Sequence, residues 1–187
     1  MPRNTGEVQH LHHLPRDVRA AQGDSGQLHW YRHITDYSPP EWTSVLDVGA
    51  AAGSGLAIMS SHFRDASGID LLPTSDHIES RRVESWTADS ADLVTAVDVI
   101  EHVEDDVAFL CELRRVARCA VFISTPNWAV SKCQNSHHIR EYTADELSSL
   151  VGEPLAVWVS DGDRRIAQRP AIMSDEASAN FGVLLRP

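Results

Sequence analysis

One run of residues constrains this chain more than any other: Val45-Leu46-Asp47-Val48-Gly49-Ala50-Ala51-Ala52-Gly53-Ser54-Gly55. Val45 to Val48 read as a short strand, and the residues after it are all small. A helical stretch follows, with Leu56, Met59 and Phe63 on one face. Glycine is required where a backbone turns sharply or where a ligand must come close to it. About twenty residues further on, Ser67-Gly68-Ile69-Asp70 reads as a second strand ending on an acid, placed to accept hydrogen bonds from a ribose. The segment therefore points to a nucleoside held on a strand-to-helix turn. The plainer reading is a close-packed corner with a surface aspartate.

The pattern also discriminates between nucleotides. A dinucleotide site uses G-x-G-x-x-G to seat a pyrophosphate on a helix N-terminus. Here the glycines follow G-x-x-x-G-x-G, and Asp47 stands just before the turn. A carboxylate there disfavours phosphate and suits a cation. S-adenosylmethionine (SAM) carries a sulfonium and an amino group and no phosphate.

The rest of the chain alternates between strands and helices. Gln27 to Tyr37 reads as a helix ended by Pro39-Pro40. Asp92 to Val97 is an apolar strand followed by Asp98, and Val103, Val107, Leu110, Leu113 and Ala117 then recur at helical spacing. Cys119 to Ile123 is a strand stopped by Thr125-Pro126-Asn127. Thr143 to Glu146 has the spacing of a capping box and opens a helix through Val151. Leu155 to Val159 and Phe181 to Leu185 close the chain as strands. This order predicts an α/β, doubly wound, mostly parallel sheet with helices on both faces. Ligands bind such sheets beyond the strands' carboxyl ends, where Gly49, Asp70 and Asp98 fall. Residues 1–40 are expected to form a helical or lid segment before a domain spanning 41–187.

The length of 187 residues suits one such domain. A net charge of −11 weighs against a nucleic-acid partner, which would favour basic protein. Arg114, Arg115 and Arg118, and Arg164, Arg165 and Arg169, could form local basic patches, although a solvated surface is the plainer reading. Val94 to Ile100 is too short for a membrane span and is interrupted by Asp98. Met1 to Gln9 is not expected to act as a secretory signal. Cys111, Cys119 and Cys133 contain no C-x-x-C pair, which fits a reducing cytoplasm.

Four segments together resemble the class I SAM-dependent methyltransferases, particularly the group of small-molecule and quinone-biosynthesis enzymes. They are VLDVGAAAGSG, the GID at Gly68 to Asp70, ADLVTAVDVIEHVEDD at Ala91 to Asp106, and FISTPN at Phe122 to Asn127 with HHIREYTADEL at His137 to Leu147. The resemblance runs from about Val45 to Val151. It implies a Rossmann-like, seven-stranded sheet and SAM as cofactor. By the same resemblance Asp47 and the backbone of Gly49, Ala50, Ala51 and Gly53 hold the methionine part. Asp70 holds the ribose, next to Leu71, and Asp98 lies near the methyl group. Two features depart from the pattern. Ala51 stands where the family has glycine, and the stretch from Asp70 to Ala91 is short. Ser85 and Trp86 are the candidates there for the adenine contact.

Methyl transfer mainly requires alignment of nucleophile, methyl and sulfur. A hydroxyl acceptor also needs a base, and His102 and His138 are the candidates. Glu101-His102 with His138 is also similar to the metal-binding set of the small-RNA 3′-terminal 2′-O-methyltransferases, with Asp98 in the place of a further glutamate. Two carboxylates and two imidazoles would suit a divalent cation. The small-molecule reading, without a metal, is the principal expectation. The alternatives are that metal-dependent RNA enzyme and a non-catalytic SAM-binding or regulatory domain. His10, His12 and His13 form a further cluster, read as a solvated terminus. Trp30 and Tyr31 are expected to pack their helix onto the domain, and Trp128 is a candidate lining of the acceptor pocket. Acceptor and oligomeric state are not legible.

Overall fold

A computed structural model of the chain describes residues 27–172 and 178–187. The His10, His12 and His13 cluster lies outside the described residues. Strands β1 (Ser44–Val48), β2 (Asp65–Asp70), β3 (Glu79–Ser80), β4 (Ala91–Val97) and β5 (Ala117–Pro126) form a parallel core. Strands β6 (Ala156–Ser160), β7 (Ile166–Arg169) and β8 (Asn180–Leu185) join it antiparallel. They make one sheet in the order β3-β2-β1-β4-β5-β8-β6-β7.

The sheet therefore has eight strands where seven were expected. β6 and β7 form a hairpin, closed by the bond from the Asp161 N–H to the Arg165 carbonyl (3.1 Å). β7, Ile-Ala-Gln-Arg, is half-exposed and polar, so it has no apolar alternation to reveal it. β3 is two exposed residues long and equally silent in sequence. Between it and β4 the chain fits only a short 3-10 turn, Val83–Ser85, as the brief Asp70 to Ala91 stretch implied.

Both faces of the sheet are covered, so β1 is buried throughout and β4 at every residue but Asp92. Successive residues point to opposite sides. Leu93 joins one apolar cluster with Trp30, Ile34, Met59, Phe63 and Phe122, and Val94 joins the other with Leu110, Leu113 and Leu147. Helices α1 (Leu28–Tyr37) and α2 (Ser54–Met59) pack on the first side. Helices α3 (Asp106–Val116) and α5 (Ala144–Val151) pack on the second, and α4 (Trp128–Ser131) is a single turn after β5. The capping box of α5 is present: the Thr143 hydroxyl accepts from the Glu146 N–H, and the Glu146 carboxylate accepts from the Thr143 N–H. Trp30 is fully buried, with its ring 5.8 Å from that of Phe122.

Arg114 and Arg115 at the end of α3 and Arg118 at the start of β5 make neither a basic patch nor a freely solvated face. Arg115 pairs with Glu112 and donates to the carbonyls of Val83, Glu84 and Trp86. Arg118 pairs with Asp92, and Arg114 donates to the Val151 carbonyl. No helix among the described residues is long and apolar enough to cross a membrane.

Candidate functional site

The turn after β1 and the acid after β2 are built as one unit. Gly49 sits at φ +81°, and a side chain there would run into Val99. Asp70 closes β2 and accepts the Ala51 N–H on one carboxylate oxygen (3.0 Å) and the Leu72 N–H on the other (2.7 Å). Ala51, the departure from the expected glycine, takes φ +46°. That is the left-handed region, which costs an alanine about 1 kcal/mol or more. The bond to Asp70 helps hold it there.

Two further acids face the same end of the sheet. Asp47 is fully buried; its carboxylate accepts from Thr95 on β4 (2.7 Å) and from the Tyr31 hydroxyl on α1 (3.3 Å). The Tyr31 ring lies directly on Gly55, where no Cβ could fit. Asp98 follows β4 at φ +52° and accepts from Ser124 on β5, Gln27 (3.0 Å) and Asn180 (3.4 Å). The segment from Gln27 to Tyr31 thus bridges both acids. Thr95, Ser124, Gln27 and Tyr31 were not singled out for this role. Thr95 and Ser124 are brought in by the sheet register, and Gln27 and Tyr31 by the packing of α1 on the sheet.

Beyond β2 and β3 lies an open pocket of about 410 Å³ lined by Leu71, Leu72, Ser80, Arg81 and Arg82. Leu71 is 56% exposed there. Ser85 and Trp86 stand next to it rather than in its lining. The Arg81 guanidinium comes between: it donates to the Ser85 hydroxyl (3.0 Å) and stacks 4.6 Å from the Trp86 ring.

Glu101, His102 and His138 meet, with one ligand atom from each lying within 4.8 Å of the others. A 3-10 turn, Ile100–His102, carries the first two. The loop after α4 delivers the third, because the Glu101 carbonyl accepts from both the Ile139 N–H (2.9 Å) and the Arg140 N–H (3.3 Å). An ion pair between Arg140 and Asp106, and the Tyr142 hydroxyl on Asp106 (2.9 Å), anchor that loop to α3. Trp128 is half-buried at the start of α4, with the Lys132 ammonium 4.3 Å from its ring.

The protons in this cluster are largely fixed. His102 Nδ1 lies 2.8 Å from the His137 carbonyl, an acceptor, so the proton is on Nδ1. Burial and the neighbouring His138 push His102 down to about 4, so its ring is neutral. His138 Nδ1 lies 2.6 Å from a Glu141 oxygen. Burial raises Glu141, but hydrogen bonds from His138, Ser131 and the Cys133 N–H outweigh it and keep the carboxyl below its ordinary range. Glu101 is wholly buried, and that burial, with Asp98 nearby, drives its carboxyl well above the ordinary range. One Glu101 oxygen accepts from Thr125 (3.1 Å); the other has no hydrogen-bond partner among the described residues. Sequence reasoning passed over Glu141. Nothing distinguishes it from the other charged residues of its segment except its spacing of three from His138.

Comparison with known proteins gives a concordant result. A family model described as a methyltransferase domain matches residues 14–153. A probable S-adenosylmethionine-dependent methyltransferase of Mycobacterium tuberculosis is 33% identical over 147 residues, covering 66% of this chain and 54% of that protein. The chain thus spans about half the length of the curated relatives it matches. Among solved structures, the N-methyltransferase NodS of Bradyrhizobium japonicum, in complex with S-adenosylhomocysteine, superposes with a TM-score of 0.65 at 13% identity, over 91% of this chain and 95% of that one. The sugar N-methyltransferase KedS8 of a Streptoalloteichus species gives 0.61 at 13% identity, over 98% and 96%. These structural likenesses are of fold.

Proposed function

The chain belongs to the SAM-dependent methyltransferases, and on that premise we propose that it transfers the SAM methyl group to a hydroxyl of a small molecule. The observation that carries the reading is the set of three acids, Asp47, Asp70 and Asp98, gathered with the glycine turn at the carboxyl end of the parallel strands. Asp70 and Leu71 are positioned for the ribose and adenine side, beside the pocket that Arg81 separates from Ser85 and Trp86. Asp47 and the backbone of Gly49, Ala50, Ala51 and Gly53 would take the methionine part, with its cationic amino group near Asp47. Asp98 then lies toward the methyl group and the acceptor.

The protein's own work is alignment and proton removal. His102, four residues after Asp98, and His138, whose ring packs against it, are the candidates for receiving the hydroxyl proton. The name of one structural neighbour, a sugar N-methyltransferase, supports a small acceptor. Within the expected N-terminal segment of residues 1–40, the contacts from Gln27 and Tyr31 to two of the acids support reading the described part, from Gln27 on, as covering the site of the 41–187 domain. Three cysteines without a C-x-x-C pair fit a cytoplasmic setting. A screen of hydroxylated and aminated small molecules with SAM, following release of S-adenosylhomocysteine, tests the reading. Turnover of hydroxyl compounds, lost when His102 and His138 are both replaced by alanine with cofactor affinity kept, is expected. Methylation of amines alone would overturn the hydroxyl assignment.

A second reading is favoured by one observation, the convergence of Glu101, His102 and His138. The residues fit a divalent cation. Both imidazoles have Nδ1 engaged, and Glu101 has a buried oxygen without a partner among the described residues. A cation held there would bind the acceptor hydroxyl and ease its deprotonation. Activity abolished by a chelator and restored by a metal salt would support it, and activity indifferent to both would exclude it. The charge of −11 and the engaged Arg114, Arg115 and Arg118 weigh against an RNA acceptor.

A further inference from the structure

We propose that Glu141 is a positioning residue of this site: it fixes the His138 imidazole with its proton on Nδ1, so that the Nε2 lone pair is presented beside His102. The inference rests on the methyl-transfer reading above and adds to it a residue outside the expected set.

Two independent contacts define the tautomer. On one side of the ring, Nδ1 lies 2.6 Å from Glu141 Oε1, and a carboxylate oxygen only accepts. On the other, Nε2 lies 3.0 Å from Asn135 Nδ2, and an amide nitrogen only donates. The Asn135 amide is itself oriented, because its Oδ1 accepts the His137 N–H (3.0 Å). Both contacts require the proton on Nδ1 and the lone pair on Nε2. Glu141 is held just as firmly. It is 2% exposed, and its second oxygen accepts the Cys133 N–H (2.8 Å) and the Ser131 hydroxyl. The ring of His138 stands 4.8 Å from that of His102, edge to face. The His102 ring is fixed in the same sense by the His137 carbonyl. The two rings thus form a pair, both with Nδ1 protonated and Nε2 as the acceptor.

The arrangement gives the lone pair of His138 a defined direction, whether a substrate proton or a cation takes it. A carboxylate behind an imidazole is the established means of holding a ring in one tautomer, both in general bases and in metal ligands. His102 has a neutral carbonyl in that place, and only His138 has a carboxylate. In the methyl-transfer reading this makes His138, rather than His102, the ring prepared to receive the acceptor's proton. An incoming hydroxyl takes the place of the Asn135 amide on Nε2. Its proton passes to Nε2 as the oxygen bonds to the methyl carbon and the carbon–sulfur bond breaks, and the product side holds an imidazolium paired with Glu141.

Glu141→Gln tests this with little change of shape. The buried Cys133 N–H needs an oxygen opposite it, so the new amide turns its NH₂ toward His138 Nδ1. The proton must then move to Nε2, where it faces the Asn135 amide. Long-range proton–nitrogen correlation spectra of the ¹⁵N-labelled full chain report the two tautomers directly, with His138 assigned by its loss in His138→Asn. The expected result is a protonated Nδ1 and a bare Nε2 in the wild type, reversed in Glu141→Gln, with S-adenosylhomocysteine affinity unchanged. A wild-type ring protonated on Nε2, or a Glu141→Gln spectrum with the tautomer unchanged, would overturn the proposal. The wild-type spectrum alone decides the first point if the variant does not fold. Failure of the wild type to bind S-adenosylhomocysteine would instead strike the methyltransferase reading and leave the tautomer result standing.

Discussion

At the scale of single residues, the acids proposed for the site are legible because each stands at or just past the carboxyl end of a strand, where a charge is conspicuous. Asp47, Asp70 and Asp98 belong to that class. Glu141 does not, since it lies in a polar segment and its meaning comes from a fold contact with His138. Asp70→Ala is expected to weaken S-adenosylhomocysteine binding tenfold or more, since a hydrogen bond to a charged group contributes about 1.5–3 kcal/mol. The same change frees the Ala51 and Leu72 N–H groups that Asp70 now holds. An unchanged affinity in a titration of this variant would remove Asp70 from the site. Asp92 has a structural role. Burial raises its carboxyl, but bonds from the Thr43 and Ser44 backbone, the Ser44 hydroxyl and Arg118 outweigh this and bring it down to about 2. A carboxyl depressed on folding stabilises above its ordinary value near 3.8, and that contribution fades as pH falls toward 2. Asp92→Asn should therefore cost about 2 kcal/mol in urea unfolding at pH 7, with the gap narrowing below pH 4. A gap independent of pH would contradict this.

At the scale of elements, periodicity located the helices and the long strands, and the capping box of α5 formed as its spacing required. The missed strands, β3 and β7, are short and have no buried residue, so burial left no pattern in them. The glycine turn was recognised, but part of its logic was hidden. Gly55 is needed because the Tyr31 ring, from an element 24 residues earlier in the chain, lies on it. Gly55→Ala should push that ring away, loosening α1 and the hydroxyl contact with Asp47 together. The expected cost is about 1–3 kcal/mol, typical of overpacking, read in thermal unfolding. A Gly55→Ala change that costs little in a Tyr31→Leu background would place the clash where the structure puts it. Unaltered stability in Gly55→Ala alone would contradict it.

At the scale of the whole molecule, the parallel core sets three acids and a glycine turn at one end of the sheet, and the loop from α4 to α5 brings His138 onto the Ile100–His102 turn. The first arrangement follows from strand order, which the sequence pattern revealed. The second depends on backbone bonds from Ile139 and Arg140 to the Glu101 carbonyl, which no local pattern announces. The fold was therefore readable, and His102 and His138 were named with it, while the contact from Glu141 that orients His138 emerged only in three dimensions. The central claim is that this end of the sheet holds SAM. Calorimetric titration of the folded protein with S-adenosylhomocysteine tests it most directly. Saturable binding at one site in the micromolar range is the predicted result. No heat of binding across a range of temperatures, from protein shown to be folded, would contradict it and leave a domain that keeps the fold without the cofactor.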